Sequence, residues 1–371
     1  MNKILLSGYY GELNSGDDAL LLVSSWGSRK FLFGEKIYGT CIQKPVLPLD
    51  AAIEALFVPE EEQKERNENL LRLYRQCYGS DFILYGGGSV FHSTDKMTRD
   101  GDLIDVNRGK GAAAIGVSFG PFRDSAAQET CKKLVEKFKY IGCRDVESYE
   151  LIRSLNPNIN AEITFDLAVL LPLVTGVDFS GNHKRKGLGI SLCHYERYIG
   201  GDTSVEKTRV KKLINVINGL KEEEFEELVF IDFNGHPIFG DQDIHREVIN
   251  QLHTNIPIRH VSYDKNPLNV LRTIASLKGL IGMRLHSAVF GYITNTPTII
   301  FSYHPKCDGW AKQIQAHKDF IISSNSFTEE SVWQALREIA VNQYQYPKLS
   351  IKDAQSLAMK NWEGARWSLS Q

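Results

Sequence analysis

Residues 279–301 read GLIGMRLHSAVFGYITNTPTIIF. Two short apolar runs, 279–282 and 298–301, flank a longer apolar segment, 285–294, that has the length of a helix. Apolar runs of this length without polar alternation are typical of parallel strands that are buried on both faces. The stretch therefore predicts a strand, a helix and a second strand parallel to the first.

The same alternation continues along the rest of the chain. Further strands are predicted at 3–7, 35–40, 81–85, 112–118, 139–143, 162–165, 187–192, 228–233 and 258–261. Helices are predicted at 17–29, 60–78, 124–138, 146–155, 206–226, 241–252, 266–275 and 328–341. Two successive series of this kind predict an α/β protein with two Rossmann-like domains, whose parallel sheets face each other across a cleft.

A polar, basic stretch at 175–186 separates the two series and predicts the domain boundary. We expect an N-terminal domain at 1–175 and a C-terminal domain at 187–350. Residues 351–371 contain a last predicted helix, 352–369, in which Trp362 and Trp367 favour packing back onto the first domain.

Composition excludes several classes of protein. The formal net charge of the 371 residues is −2, which does not favour nucleic acid as a partner. Neither a signal peptide nor a run of about 20 apolar residues is found, so we expect a cytoplasmic protein without a transmembrane segment. None of the six cysteines forms a C-x-x-C pair, so no metal site is predicted.

Ligands of open parallel sheets bind beyond the carboxyl ends of the strands, and unusual residues follow the first predicted strand. Residues 8–20 read GYYGELNSGDDAL and contain Asn14, Asp17 and Asp18. The two aspartates either cap the next helix or present a carboxylate to a ligand. The stretch matches neither dinucleotide nor P-loop fingerprints, which argues against a NAD-dependent dehydrogenase.

Glycine-rich turns follow two further strands of the first domain. Residues 86–92 read GGGSVFH, so Gly87 and Gly88 either allow a ligand to approach or serve tight packing, and His92 is either structural or directed at the ligand. Gly116 lies in a similar turn. Arg144 is either the partner of the adjacent Asp145 or a cation for an anionic ligand. Asp166, at the end of the next predicted strand, likewise has either a structural role or a functional one.

The quoted stretch contains the sharpest signal. Arg284 and His286 lie where a strand becomes a helix, and the N-terminal amides and dipole of a helix favour an anion. Arginine adds a planar fork that suits phosphate or carboxylate. Beyond the next strand, Lys306 adds a second positive charge and His304 a proton donor. These residues predict an anion-binding site.

Together these stretches resemble the polysaccharide pyruvyl transferase family. The matching segments are GYYGELNSGDDALL, YGGGSVF, GVSFGP, CRDVESYELI, FDLAVLLP, GISL and GMRLHSAVFGYITNTPTIIFSYHPK, which span most of residues 1 to 310. The resemblance implies a GT-B-like fold. It also implies transfer of a pyruvyl group from phosphoenolpyruvate to two hydroxyls of a saccharide, free or lipid-linked, which gives a cyclic ketal and phosphate without a cofactor. The family often has Asp-Glu at Asp17-Asp18 and Asp at His304.

The predicted anion site fits this chemistry, with phosphoenolpyruvate on the second domain and the acceptor on the first. Arg284, Lys306 and Arg144 would neutralise the donor, and His286 would transfer a proton. Asp17 is the expected base or hydroxyl anchor. The remaining expected substrate-binding residues are Asn14, Asp18, Gly87, Gly88, His92, Gly116 and His304.

Two other functions fit the same residues. One is a glycosyltransferase of the same architecture that uses a nucleotide sugar, and the other is a catalytically silent protein that binds a sugar or an anion. Specificity for the acceptor is expected from loops at 11–14 and 92–108, the second of which is long, charged and interpreted as a mobile lid.

Overall fold

A computed structural model describes residues 2–48, 51–57, 63–179 and 185–371. The chain forms two compact units. Unit 1 comprises residues 1–12, 17–174 and 352–371, and unit 2 comprises residues 13–16 and 175–351. Part of the predicted linker, residues 180–184, and part of a predicted helix, residues 60–62, lie outside the described residues.

Unit 1 is a seven-stranded parallel sheet in the order β3-β2-β1-β4-β5-β6-β7. Its strands are β1 (Asn2–Ser7), β2 (Gly34–Cys41), β3 (Glu54–Phe57), β4 (Phe82–Phe91), β5 (Ala112–Phe119), β6 (Tyr140–Cys143) and β7 (Ala161–Ile163). Its helices are α1 (Ser15–Leu32), α2 (Gln63–Gly79), α3 (Thr94–Val106), α4 (Ser125–Val135), α5 (Val146–Leu155) and α6 (Leu171–Thr175).

Unit 2 is a six-stranded parallel sheet in the order β10-β9-β8-β11-β12-β13. Its strands are β8 (Lys186–Ser191), β9 (Leu228–Ile231), β10 (Ile258–Val261), β11 (Leu277–Gly282), β12 (Thr298–Ser302) and β13 (Ile321–Ser323). Its helices are α7 (Glu196–Ile199), α8 (Thr203–Asn218), α9 (Gln242–Ile249), α10 (Pro267–Ala275), α11 (Leu285–Ile293), α12 (Pro305–Gln313) and α13 (Glu329–Ala340).

A last helix, α14 (Ile351–Ser370), groups with unit 1 although it follows unit 2 in the chain. Its buried Asn361 accepts hydrogen bonds from the Gly116 amide at 2.8 Å and the Thr164 hydroxyl at 2.9 Å, and it donates to the Phe165 carbonyl at 3.1 Å. Trp362 is fully buried beside α1, where Gly27 leaves room for its ring. A buried amide with several partners therefore connects this helix to the interior of β5 and to the residues after β7.

The strand order of each sheet reverses next to its first strand. In unit 1 the reversal lies between β1 and β4, and in unit 2 it lies between β8 and β11. Crevices outside the carboxyl ends of the strands at such a reversal are the usual binding positions in open α/β sheets. A binding site is therefore expected in the turns that follow β1, β4, β8 and β11.

The predicted fold class, with two parallel α/β domains, is confirmed. The sequence analysis missed the short edge strands β3 and β13, and it also missed α12. The expectation of a mobile lid at 92–108 is wrong, because this segment forms α3, whose Met97 and Leu103 lie in the core. None of the helices in the described ranges is long and apolar enough to cross a membrane.

Candidate functional site

The carboxyl ends of β11 and β12 in unit 2 bring two helix N-termini to one edge of the sheet. The strands pair in parallel, with Gly282 opposite Ile300, so that α11 and α12 begin side by side. Arg284 is the residue before α11, and Lys306 lies in the first turn of α12. Two helix dipoles and two cationic side chains thus favour an anion at this edge, and the predicted anion site stays a prediction.

Arg284 forms an ion pair with Asp241, a buried carboxylate just before α9. The Nε and Nη2 atoms of Arg284 donate to Asp241 Oδ1 at 3.0 and 2.6 Å. Burial alone would lower the pKa of the Arg284 guanidinium, but the charge of Asp241 raises it well above its usual value. Arg284 therefore keeps its charge at every working pH, and its side chain retains 18% exposure.

Asp241 also organises the loop that follows β9. Its Oδ2 accepts hydrogen bonds from the Phe233 and Asn234 amides at 3.0 and 2.9 Å. The sequence analysis placed this aspartate only at the start of a helix and missed its pairing with Arg284. Nothing in the local sequence signals that contact, because 43 residues separate the two partners.

Cys193, just beyond β8, lies within the electrostatic influence of both cations of the site. Burial raises the pKa of its thiol to about 12, while the charges of Arg284 and Lys306 act in the opposite direction. The thiol is therefore protonated at neutral pH and is no nucleophile.

Residues 13–16 join this site in unit 2 through backbone pairing. The Ser15 amide donates to the Phe233 carbonyl at 2.9 Å, and Asn14 forms an antiparallel bridge with Asn234. Gly16 then lies directly against His286, since a Cβ on Gly16 would stand 2.0 Å from His286 Nδ1. Asn14 and His286, both predicted as site residues, are thus brought together, and the Asn14 side chain accepts from the Gly16 amide.

His304 caps the N-terminus of α12. Its Nδ1 accepts a hydrogen bond from the Lys306 amide at 3.2 Å, and its ring lies beside Tyr195 and Tyr303. Burial and the charge of Lys306 lower the pKa of His304 to about 4, so the imidazole is neutral at pH 7. The Lys306 ammonium lies 5.6 Å from the centre of the Tyr303 ring, a cation–π distance.

Unit 1 has a cavity of about 670 Å³ at the carboxyl ends of β1 and β2. Aromatic and charged side chains line it, among them Tyr9, Glu12, Tyr74, Lys96 and Arg99. Burial, together with the charges of nearby carboxylates, raises the pKa of Tyr9, so its hydroxyl stays protonated. The mixture of aromatic faces and charged hydrogen-bonding groups suits a polyhydroxylated ligand.

Asp17 and His92, two of the predicted site residues, lie near Tyr9 of this cavity. Asp17 lies in the first turn of α1 at intermediate burial, and its charge contributes to the raised pKa of Tyr9. His92 contacts the Ser89 carbonyl through Nδ1 at 3.1 Å, and its ring lies 6.0 Å from that of Tyr9. Their predicted roles stay predictions.

Asp18 and Gly116 are corrections to the sequence analysis, which assigned both to substrate binding. Asp18 is completely buried, and its Oδ1 accepts from the Gly11 amide at 3.3 Å. It therefore stabilises the glycine-rich turn from within. The Gly116 amide already donates to Asn361, and a Cβ at Gly116 would stand 2.6 Å from Leu167. Gly116 thus permits tight packing and offers no amide to a substrate.

Arg144 is also placed differently from the prediction. Its guanidinium is buried in unit 1 and donates to Ser118 at 2.6 Å, Asp166 at 2.9 Å and Ser89 at 2.9 Å. With these hydrogen bonds Arg144 connects strand ends within unit 1, and its role toward a donor anion stays a prediction. The principal charged partner is Asp166, whereas Asp145 lies 3.9 Å away and caps α5.

The triple glycine serves packing of α1. Gly87 has a φ of 80°, and a Cβ there would stand 2.8 Å from Leu20. A Cβ on Gly86 would stand 2.2 Å from the Ser24 hydroxyl. Gly88 has a φ of 88°, and a Cβ there would stand 3.7 Å from Asp17 Oδ1. The packing alternative is therefore correct for Gly87, and Gly88 lies beside a predicted site residue.

Asp232, His245 and His260 bring ligand-type atoms within 4.8 Å of one another in unit 2. The Nε2 atom of His245 accepts from the Leu192 amide at 2.9 Å, so the ring proton lies on Nδ1 and is donated to Asp232. His260 donates to the same carboxylate oxygen at 2.8 Å. His245 has no lone pair left for a metal, and the cluster connects the ends of β8, β9 and β10 by hydrogen bonds.

The two parallel-sheet units have the GT-B fold of known epimerases and glycosyltransferases. The UDP-GlcNAc 2-epimerase from Neisseria meningitidis, bound to UDP-GlcNAc, is 9% identical over 100% of both chains, with a TM-score of 0.63. The Methanocaldococcus jannaschii UDP-GlcNAc 2-epimerase is 12% identical, with 97% of this chain and 99% of that chain covered and a TM-score of 0.63. The lipopolysaccharide outer core galactosyltransferase WaaB is 11% identical over 99% of both chains, with a TM-score of 0.50.

The sequence assigns the family. A sequence model of the polysaccharide pyruvyl transferases matches residues 14–305, a range that includes Arg284 and ends at Pro305, the first residue of α12. The chain therefore belongs to the polysaccharide pyruvyl transferase family, as the resemblance of its motifs predicted.

Proposed function

We propose that this protein transfers the pyruvyl group of phosphoenolpyruvate to two hydroxyls of a saccharide in the cytoplasm, forming a cyclic ketal and phosphate. The observation that carries the proposal is the cationic edge of unit 2, where Arg284 and Lys306 stand at the N-termini of two helices. Phosphoenolpyruvate carries a phosphate and a carboxylate within a small molecule, and this edge offers matching charges. Membership of the family adds the acceptor class.

The reaction needs one proton delivered and negative charge stabilised. Protonation of the methylene carbon of phosphoenolpyruvate creates oxocarbenium character at C2, which the first hydroxyl attacks. Loss of phosphate regenerates that character, and the second hydroxyl closes the ketal. The two hydroxyl protons balance the methyl group formed and the phosphate released. We assign the proton transfer to His286 and stabilisation of the leaving phosphate to Arg284 and Lys306, with Asp17 as base or hydroxyl anchor.

Gly16 tests the placement of His286. Replacement of Gly16 with alanine forces a methyl group into the His286 ring, whose Nδ1 and Cγ atoms would lie 2.0 and 2.3 Å from it. We expect the turnover number for pyruvyl transfer to fall about a hundredfold, since a displacement of about 1 Å is enough for such a loss. Steady-state kinetics of phosphate release measures it.

Gly101→Ala is the matched control, because a Cβ there meets only flexible side chains at 3.6 Å or more. It should leave turnover unchanged. If Gly16→Ala keeps the wild-type turnover number, His286 is not the proton-transfer residue at this site.

For the acceptor we propose the cavity of unit 1. Tyr9 and Tyr74 provide aromatic faces, and the Arg99 guanidinium has a buried Nε without a hydrogen-bond partner among the described residues. Sugar rings present apolar faces and hydroxyl groups, which such a lining can contact and hydrogen-bond. The acceptor would therefore be recognised mainly by residues of α3 and of the turn after β1.

Arg99→Ala tests this assignment. We expect the acceptor KM to rise about tenfold, which corresponds to the loss of one charge-assisted hydrogen bond, while phosphoenolpyruvate affinity stays unchanged. The measurement is initial-rate kinetics with a panel of mono- and disaccharide acceptors. Lys133→Ala, on the exposed side of α4, is the control and should change neither constant. An unchanged acceptor KM in Arg99→Ala would move the acceptor site elsewhere.

A nucleotide-sugar glycosyltransferase is the second candidate, and one observation favours it. Phe239 is 48% exposed beside Arg284, stacks on His236 and contacts Tyr198 edge to face. An exposed aromatic ring next to a cation can hold a nucleobase and its diphosphate. The N. meningitidis neighbour, whose structure contains UDP-GlcNAc, shares this fold.

One experiment separates these functions. Thermal unfolding is measured with phosphoenolpyruvate, UDP-sugars and GDP-sugars on the wild type, Arg284→Ala and His286→Ala. A ligand at about 100 times its Kd stabilises the folded state by about 2.7 kcal/mol. Stabilisation by phosphoenolpyruvate that is lost in Arg284→Ala supports pyruvyl transfer, and a response to nucleotide sugars alone contradicts it. Binding without phosphate release in any acceptor screen identifies a silent protein.

A further inference from the structure

His304 has a defined tautomer in this structure. Its backbone is extended, with φ −148° and ψ 145°, and its Nδ1 accepts the Lys306 amide hydrogen at 3.2 Å. A nitrogen that accepts a hydrogen bond carries no proton. The single proton of the neutral ring therefore lies on Nε2.

The surroundings keep this ring neutral. Burial and the adjacent Lys306 charge both disfavour a second proton, and the pKa of about 4 leaves the imidazole uncharged over the working range. No group in the described part of the chain accepts a hydrogen bond from His304 Nε2, and the atom is not among the buried polar atoms that lack a partner. His304 thus presents an accessible, uncharged N–H donor.

This donor lies among the cations of the anion site. His304 is next in sequence to Tyr303, whose ring centre lies 5.6 Å from the Lys306 ammonium. Strands β11 and β12 pair in parallel with Gly282 opposite Ile300, so Arg284, just before α11, and His304, just before α12, follow adjacent strand ends. Lys306, Arg284 and the His304 ring therefore lie at one edge of the sheet.

We infer that His304 donates its Nε2–H to an anionic phosphoryl oxygen bound between Arg284 and Lys306, and so helps to determine phosphate affinity. A neutral donor adds a directed hydrogen bond without a further full charge, which would hold the released phosphate more tightly. The identification of that phosphoryl group as part of phosphoenolpyruvate rests on the proposed function, whereas binding of the anion does not.

The competing interpretation is that His304 only caps α12. Two substitutions separate the roles, because both retain an oxygen acceptor for the Lys306 amide. His304→Asn removes the N–H at the far side of the ring. His304→Asp removes it and adds a negative charge beside Lys306. A cap-only residue would tolerate both changes, since asparagine and aspartate are favourable caps.

The test is titration of the full-length protein with inorganic phosphate by calorimetry. We expect His304→Asn to weaken phosphate binding about tenfold and His304→Asp about a hundredfold, with melting temperatures close to that of the wild type. Asn266→Asp is the matched control, since Asn266 caps α10 in the same unit, also with proline at the start of its helix. It should bind phosphate like the wild type.

Wild-type phosphate affinity in His304→Asp would overturn the inference, as would the absence of saturable phosphate binding in the wild type. Pyruvyl transfer is assayed separately with phosphoenolpyruvate and acceptors. If the wild type transfers pyruvyl and His304→Asp binds phosphate with wild-type affinity, the inference is rejected and the proposed function is kept. If phosphate binding depends on His304 but no pyruvyl transfer is detected, the inference is kept and the proposed function is rejected.

Discussion

Arg284→Ala is expected to reduce pyruvyl transfer about a thousandfold, the scale seen when a charge-stabilising group is removed from an active site. The guanidinium is kept protonated by Asp241 and stands at the start of α11, where the leaving phosphate is proposed to bind. The kinetics of phosphate release, with saturating acceptor, measures the loss.

Folding must be controlled in this experiment, because Asp241 is completely buried. Removal of Arg284 leaves the Asp241 carboxylate without its ion pair, which costs about 3–5 kcal/mol of folding free energy. The double variant Arg284→Met with Asp241→Asn removes both charges and keeps an oxygen for the Phe233 and Asn234 amides. It should recover most of the stability without recovering activity.

Arg284→Lys supplies the complementary control. Lysine keeps a positive charge but loses the planar fork that donates through both Nε and Nη2 to Asp241. We expect activity between those of the wild type and the alanine variant. Full activity in the double variant would contradict the role of Arg284, because that protein would be folded without the guanidinium.

The second large effect is expected on the folding stability of unit 1, when the buried Asn361 is replaced. Asn361→Ala should lower the free energy of unfolding of unit 1 by about 3–5 kcal/mol, since it leaves the Gly116 amide buried without its acceptor and removes the hydrogen bond to the Phe165 carbonyl. It also removes one of the two acceptors of the Thr164 hydroxyl, which keeps the Cys143 carbonyl at 3.0 Å. Urea denaturation and hydrogen exchange at the Gly116 amide measure the change.

Gln355→Ala on the same helix is the comparison. Gln355 is only partly buried and makes a single hydrogen bond, to the Val169 carbonyl at 3.1 Å, so we expect a loss below about 1 kcal/mol. A shift for Asn361→Ala as small as that for Gln355→Ala would show that α14 does not depend on the buried amide. Phosphoenolpyruvate affinity should remain unchanged in both folded variants.

The sequence predicted the positions of candidate residues best where these residues follow neighbouring strands. Arg284 and Lys306 lie beyond β11 and β12, which pair in parallel, so strand periodicity alone brings them to one edge. Asp241 could not be found in this way, because its contact with Arg284 depends on how the loop after β9 folds back. His304 was predicted as a donor, but its cap geometry depends on α12, which the sequence analysis missed.

Arg144 and Arg284 show most clearly which features the sequence predicts and which depend on the tertiary structure. Both Arg144 and Arg284 follow buried strands, and the sequence treats them alike as candidate cations. The tertiary structure buries Arg144 among Ser89, Ser118 and Asp166, whereas it leaves part of Arg284 exposed beside the helix N-termini. Their roles differ because their distant neighbours differ.

By itself the sequence determined that this chain forms two parallel α/β sheets, and it predicted an anion site at their strand ends, because short-range periodicity and turn chemistry encode such features. Only the tertiary structure decided which polar groups remain available to a ligand. The Gly116 amide is occupied by Asn361, 245 residues away, and Gly16 lies against His286. Such contacts depend on packing between distant segments, which no local pattern specifies.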